Sequence, residues 1–154
     1  KELQERLSPP AFGWNNVHCP NYVSQGKMVL RSDAGRYEAG SFNILGIAGL
    51  NAALGLLLEV GVDNIAADLR AKREWLVSAL LEKGFEVLCS EPENTGGITS
   101  CWRENEDMKV LGDKLMAEGI VASVRGDRAG RDYLRFSPHF YNTQAELERV
   151  MDLL

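Results

Sequence analysis

Between Ala39 and Leu58 the chain runs twenty residues without a charged side chain, and Gly46, Gly49 and Gly55 punctuate its apolar second half. Few structures accept such a segment. Its apolar core, Ile44 to Leu58, is shorter than the ~20 residues that cross a bilayer and contains Asn51. A membrane span is therefore rejected. Glycines at this spacing suit close packing inside a protein, so the run predicts a helix from Ile44 to about Val60, ending at Gly61 and buried on most sides.

What surrounds that helix differs on its two sides. Residues 1 to about 40 show no clear periodicity and carry the breakers Pro9-Pro10, Gly13, Cys19-Pro20 and Gly26. Phe12, Trp14 and Tyr22 have no obvious core within this arm, which predicts that it associates with another surface. The first residues, from Lys1 to Leu7, read as the middle of a charged helix or loop. Nothing in these first residues has the pattern of a signal peptide, so none is expected in this stretch.

After the helix the pattern becomes regular. Asp63 is a plausible N-cap for a second helix running to Lys83, with an apolar stripe of Ile65, Leu69, Leu76 and Leu80 and a stop at Gly84. The period then shortens, and Phe85–Cys89 and Ile98–Trp102 read as strands around a loop over 91–97. Met108, Leu111 and Leu115 mark a helix that stops near Gly119. Ile120–Val124 and Tyr133–Phe136 read as two further strands. Thr143 with Glu146 forms a capping box for a last helix whose apolar face is Leu147, Val150, Met151 and Leu154. This order predicts an α+β fold: a small, mostly antiparallel sheet with helices packed on one face, preceded by an irregular arm and a buried helix.

Charge and sulfur narrow the function classes. The net charge is −5, and the only basic cluster is Arg125, Arg128 and Arg131, so nucleic acid is not an expected partner. Cys19, Cys89 and Cys101 are odd in number and lack CxxC spacing, which fits free thiols in a cytoplasmic protein. His18 and Cys19 are neighbours with no further ligand at metal spacing, so no metal site is expected.

Two places remain where chemistry could sit. Gly40-Ser41-Phe42-Asn43 precedes the charge-free helix, where backbone N–H groups can receive an anion, although Ser41 or Asn43 also reads as a plain N-cap. Arg135 lies in Tyr133-Leu134-Arg135-Phe136. In alternating geometry it shares a face with Tyr133, while Leu134 and Phe136 point the other way. A partly buried arginine usually has an anionic partner, which here is either a neighbouring side chain or the carboxylate of a ligand.

Arg36-Tyr37-Glu38-Ala39-Gly40-Ser41-Phe42-Asn43 resembles the "R-[FY]-E-x-G-[TS]-x-N" stretch of the class V aminotransferase superfamily, whose members are fold-type-I enzymes dependent on pyridoxal 5′-phosphate. Leu134-Arg135-Phe136-Ser137-Pro138-His139-Phe140-Tyr141-Asn142-Thr143 resembles the C-terminal "R-x-S-x-x-x-Y-N-T" signature of the same superfamily, and Leu7-Ser8-Pro9-Pro10 with Gly13-Trp14 resembles the loop after its lysine segment. The resemblance covers the C-terminal part of such an enzyme. It implies that residues 1–60 are the arm and helix ending a large cofactor-binding domain, and that residues 61–154 are the C-terminal small domain.

The resemblance also implies roles. Arg135 would bind the α-carboxylate of an amino-acid substrate, and Arg125 would line the substrate entrance. Ser41, with Gly40 and Asn43, would reach the cofactor phosphate of a partner subunit in a homodimer. No lysine, Lys27 included, stands in the Schiff-base context of the superfamily. Where its cysteine desulfurases carry a nucleophilic cysteine, this chain has Gly126-Asp127-Arg128-Ala129-Gly130, which favours an epimerase-like, lyase or transaminase parent. Micromolar binding requires about 8 kcal/mol, and one hydroxyl and one charged contact fall well short of it. The chain by itself is thus expected to be inert and to depend on the missing N-terminal large domain. A free-standing interaction or regulatory domain that keeps the fold without chemistry is the alternative.

Overall fold

A computed structural model describes residues 3–4, 6–19, 21, 23, 26–91, 93 and 96–154. The expectations for Lys1, Pro20 and Tyr22, and part of the 91–97 loop, lie outside the described residues. The chain divides into two compact units, Lys1–Gly55 and Leu56–Leu154.

The first unit is held by polar staples. Asn16 is fully buried; its amide donates to the Ala11 carbonyl at 2.8 Å and its oxygen accepts the Gly13 N–H at 2.9 Å. A bridge joins Val17 to Leu30, and the Tyr37 hydroxyl donates to the Gln4 carbonyl at 2.8 Å. Gly13 permits the tightest approach, because a Cβ there would lie 2.0 Å from the Ala39 carbonyl oxygen. Asp33 caps a 3-10 turn over Ala34–Tyr37. Helix α1 (Ile44–Val60) begins in this unit, and the division falls within its second half.

Helix α1 corrects one expectation. It is apolar on every side, yet none of its residues is buried, and Leu45 is 87 % exposed. Apolar patterning measures how strongly a helix seeks cover. It does not say whether this chain has surface to supply it. Among the described residues, no single helix is long and apolar enough to cross a membrane.

The second unit has a packed core. Helix α2 (Val62–Glu82) starts at Gly61, whose φ of 89° needs glycine, so Asp63 stands in the first turn and is not the N-cap. Strands β1 (Glu86–Val87), β2 (Thr99–Trp102), β3 (Ser123–Gly126) and β4 (Asp132–Phe136) form an antiparallel sheet in the order β1-β2-β4-β3. Strand β1 is shorter than expected, since Cys89 has a φ of 51° that ends the extended run. Helix α3 (Met108–Ala117) crosses the sheet with Gly112 against it; a Cβ there would meet the Val124 side chain at 2.8 Å. Helix α4 (Gln144–Leu153) opens with the expected capping box of Thr143 and Glu146. Leu76 and Leu80 from α2, Leu111 and Leu115 from α3, and Val150 and Met151 from α4 meet Cys101, Leu134 and Phe136 of the sheet. The fold is α+β, with the helices gathered on one face of a small antiparallel sheet.

Candidate functional site

Strand β4 sorts its residues by face. Leu134 is fully buried and Phe136 nearly so, both in the helix-covered core, whereas Arg135 is half-buried on the other face. Register places Ser100 of β2 and Ser123 of β3 directly opposite Arg135 on either side. Directly paired residues share a face, so the guanidinium rises from a row of two small hydroxyl residues. Its Nε is buried and makes no hydrogen bond among the described residues. Among the described residues no carboxylate lies within ion-pair distance of Arg135.

Arg125 lies on the same face, opposite Tyr133 on β3. It is exposed, and its guanidinium donates to the adjacent Val124 carbonyl at 3.1 Å. The turn beyond it is tied by one carboxylate. Asp127 accepts from the Ala129 N–H at 2.8 Å, the Arg131 N–H at 2.9 Å and the Tyr133 hydroxyl at 2.9 Å. These donors hold its carboxyl below the usual range, the Arg131 N–H contributing most, while the carboxylate pushes the Tyr133 phenol up. Arg131 stacks over Trp102, 3.7 Å from the ring centroid.

In the first unit, Gly40, Ser41 and Asn43 stand at the start of α1. The Asn43 side chain accepts the Gly46 N–H at 2.9 Å, so Asn43 caps the helix. Ser41 is exposed, and among the described residues no atom beyond the chain neighbours lies within 4 Å of where a Gly40 Cβ would be. An open hydroxyl beside a helix N-terminus suits a phosphate oxygen.

Sequence reasoning missed two buried cations on α2. Lys72 donates to Asp68 at 2.5 Å and to the Phe140 carbonyl at 3.1 Å, anchoring the loop that follows β4. Arg73 donates to the Cys89 and Ile98 carbonyls and to the Thr99 hydroxyl, organising the loop between β1 and β2. Both fall in phase with Leu69, Leu76 and Leu80, a signal visible in the spacing. The thiols are dispersed: Cys101 is buried and pushed up to about 12 by desolvation, Cys89 is exposed, and Cys19 donates to the Val23 carbonyl. Among the described residues no group of three His, Cys, Asp or Glu could hold a metal ion.

Comparison with known proteins sets this geometry in a family. An uncharacterized aminotransferase of Bacillus subtilis (strain 168), YcbU, is 26 % identical over 99 % of this chain and 38 % of its own length. A cysteine desulfurase of Synechococcus elongatus is 30 % identical over 97 % of this chain and 25 % of its own. The chain thus spans well under half of these relatives. Among solved structures, the apo cysteine desulfurase of Thermococcus onnurineus NA1 superposes with a TM-score of 0.88 at 20 % identity, over 99 % of this chain and 40 % of that one. The lyase C-DES, solved as a K223A mutant with glycine covalently linked to its PLP cofactor, gives 0.82 at 19 %, over 98 % and 38 %. The profile of the aminotransferase class-V family matches residues 1–150, nearly the whole length, and the chain belongs to that family.

Proposed function

We propose that this chain is the C-terminal part of a pyridoxal phosphate-dependent enzyme acting on an amino acid, with Arg135 receiving the substrate α-carboxylate. The observation that carries this reading is a half-buried guanidinium on the sheet face away from the helices, flanked by hydroxyls and free of any acid partner among the described residues. A carboxylate binds such a fork through two parallel charge-assisted hydrogen bonds, which fix its orientation as well as its position. Ser41 and the N-terminus of α1 fit a phosphate, with Gly40 keeping the approach open and Asn43 holding the helix start. In this reading they serve the cofactor of a partner subunit in a cytoplasmic homodimer. When bound, the cofactor supplies an electron sink for charge developing beside the amino group.

Residues 1–60 are read as the end of the large domain and residues 61–154 as the small domain. The exposed α1 supports this division, since it asks for cover that a larger domain provides. The lysine that anchors the cofactor is assigned to the part of the enzyme outside this chain. Within the chain, Lys72 is engaged in its clamp, and Lys109 is paired with Asp132 at 2.7 Å. Relatives named as cysteine desulfurases raise the question of sulfur transfer. The β3–β4 turn, from Asp127 to Arg131, holds no thiol, so an epimerase, lyase or transaminase reaction is favoured.

The test is Arg135→Gln in the protein expressed from its complete gene. One charge-assisted pair is worth about 1.5–3 kcal/mol, so kcat/KM should fall roughly 10- to 100-fold with the fold intact. An unchanged kcat/KM removes the carboxylate role.

A further inference from the structure

We infer that the substrate carries a second anionic group and that Arg125 receives it, which makes amino acids with an acidic side chain the preferred class. The inference rests on the carboxylate role of Arg135. It comes from where the two guanidiniums stand. Ser123 pairs with Arg135 and Arg125 pairs with Tyr133, so Arg125 is the diagonal neighbour of Arg135 on the same face. Diagonal neighbours on adjacent antiparallel strands lie roughly 7–8 Å apart, a gap that long side chains can span. Side chains rooted that far apart can bring both guanidiniums to the two ends of a short dicarboxylate, once Arg125 exchanges its bond to the Val124 carbonyl for the ligand.

The other charges on this face leave the pair available. Asp127, the nearest acid along the chain, is turned to the Ala129 and Arg131 N–H groups and the Tyr133 hydroxyl, and among the described residues it makes no ion pair with either arginine. Glu86 shares the face through its pairing with Trp102, but β1 is separated from β3 by two intervening strands. Arg131 is committed to the Trp102 ring. The Asp132 carboxylate belongs to the opposite face, where it pairs with Lys109 of α3. Arg125 and Arg135 are thus two cations of one face, neither ion-paired among the described residues. Two like charges on neighbouring strands of one face repel each other, and a ligand with two carboxylates offsets both where a monoacid offsets one.

Calorimetric titration of the cofactor-saturated protein expressed from its complete gene, with succinate and with propionate, tests this. Wild type should bind succinate about tenfold more tightly, the worth of one further charge-assisted contact. Arg125→Gln should erase that preference by weakening succinate far more than propionate, and Arg125→Lys should restore part of it. Arg135→Gln should weaken both ligands together; Arg135→Lys substitutes if the melting curve shows that the Gln variant does not fold. A preference absent from wild type, or retained in Arg125→Gln, overturns the inference and leaves the role of Arg135 standing. Affinities for both acids that survive at Arg135 remove that role and the inference with it.

Discussion

The two units reach order by different means. The second excludes water from a continuous cluster in which Leu76, Leu80, Leu115, Leu134 and Cys101 are fully buried. The first has Asn16 at its centre, with Phe12 and Trp14 more than half exposed and a helix that buries nothing. Apolar burial at about 25 cal/mol per Å² stabilises one unit outright. Net hydrogen-bond contributions near 1 kcal/mol each shape the other without making it self-sufficient. A domain is defined by what it buries, and a well-formed backbone alone does not make one.

The sharpest break of that contrast is Leu134→Ala. It opens a cavity at the centre of the second unit and should cost about 2–5 kcal/mol in urea unfolding. Leu50→Ala on α1, made in the same 154-residue chain, should stay within about 0.5 kcal/mol of zero. Equal losses at the two leucines would mean that α1 is covered after all. Gly112→Ala comes next, at about 1–3 kcal/mol, because the new methyl group meets Val124 and the gain in helix propensity offsets only part of the clash. Thr143→Ala should follow at about 1 kcal/mol through loss of the α4 cap.

Smaller effects appear as pH slopes. The Cys101 thiol is raised to about 12, so at alkaline pH the unfolded chain releases a proton that the folded unit keeps. Stability should fall as pH rises through that window, and Cys101→Ala should flatten the slope. The same burial predicts that Cys89 reacts with a thiol reagent in the native protein while Cys101 waits for unfolding. Glu146 is held below the usual carboxylate range chiefly by the Thr143 N–H. Its contribution is present above that range and lost as pH falls through the depressed value, so Glu146→Gln should reduce the acid slope measured by thermal melting.

Local signals were legible where one residue type serves one geometry. Thr143 with Glu146, Gly84 and Gly119 mark their helix boundaries because a capping hydroxyl and a positive φ admit few alternatives. Alternation in β4 separated Arg135 from Leu134 and Phe136, and register then confirmed the two faces. Legibility failed where the answer depended on partners distant in sequence. Asp63 has the chemistry of a cap, but Gly61 has the backbone freedom, and the chain turns there. Lys72 and Asp68 went unread, because the carbonyls of His139 and Phe140 that hold Lys72 lie nearly seventy residues away. The burial of α1 was misread because apolar character is written in the helix and cover is not. Ser100 and Ser123 carry no signal of their own; only the register makes them neighbours of Arg135.

The strand order β1-β2-β4-β3 also has a temporal meaning. The β3–β4 hairpin closes over a five-residue turn, whereas β2 must wait for a partner more than thirty residues downstream, across α3 and the hairpin. Non-local pairings of this kind incur loop-closure entropy before they return any contact, so hairpin formation should precede joining of the sheet. During synthesis, β2 emerges early and stands with an open edge until Phe136 has cleared the ribosome. The sheet is finished by its last-made strand, and that strand carries Arg135, so the candidate ligand face comes into being when the sheet closes, with only α4 still to complete the core.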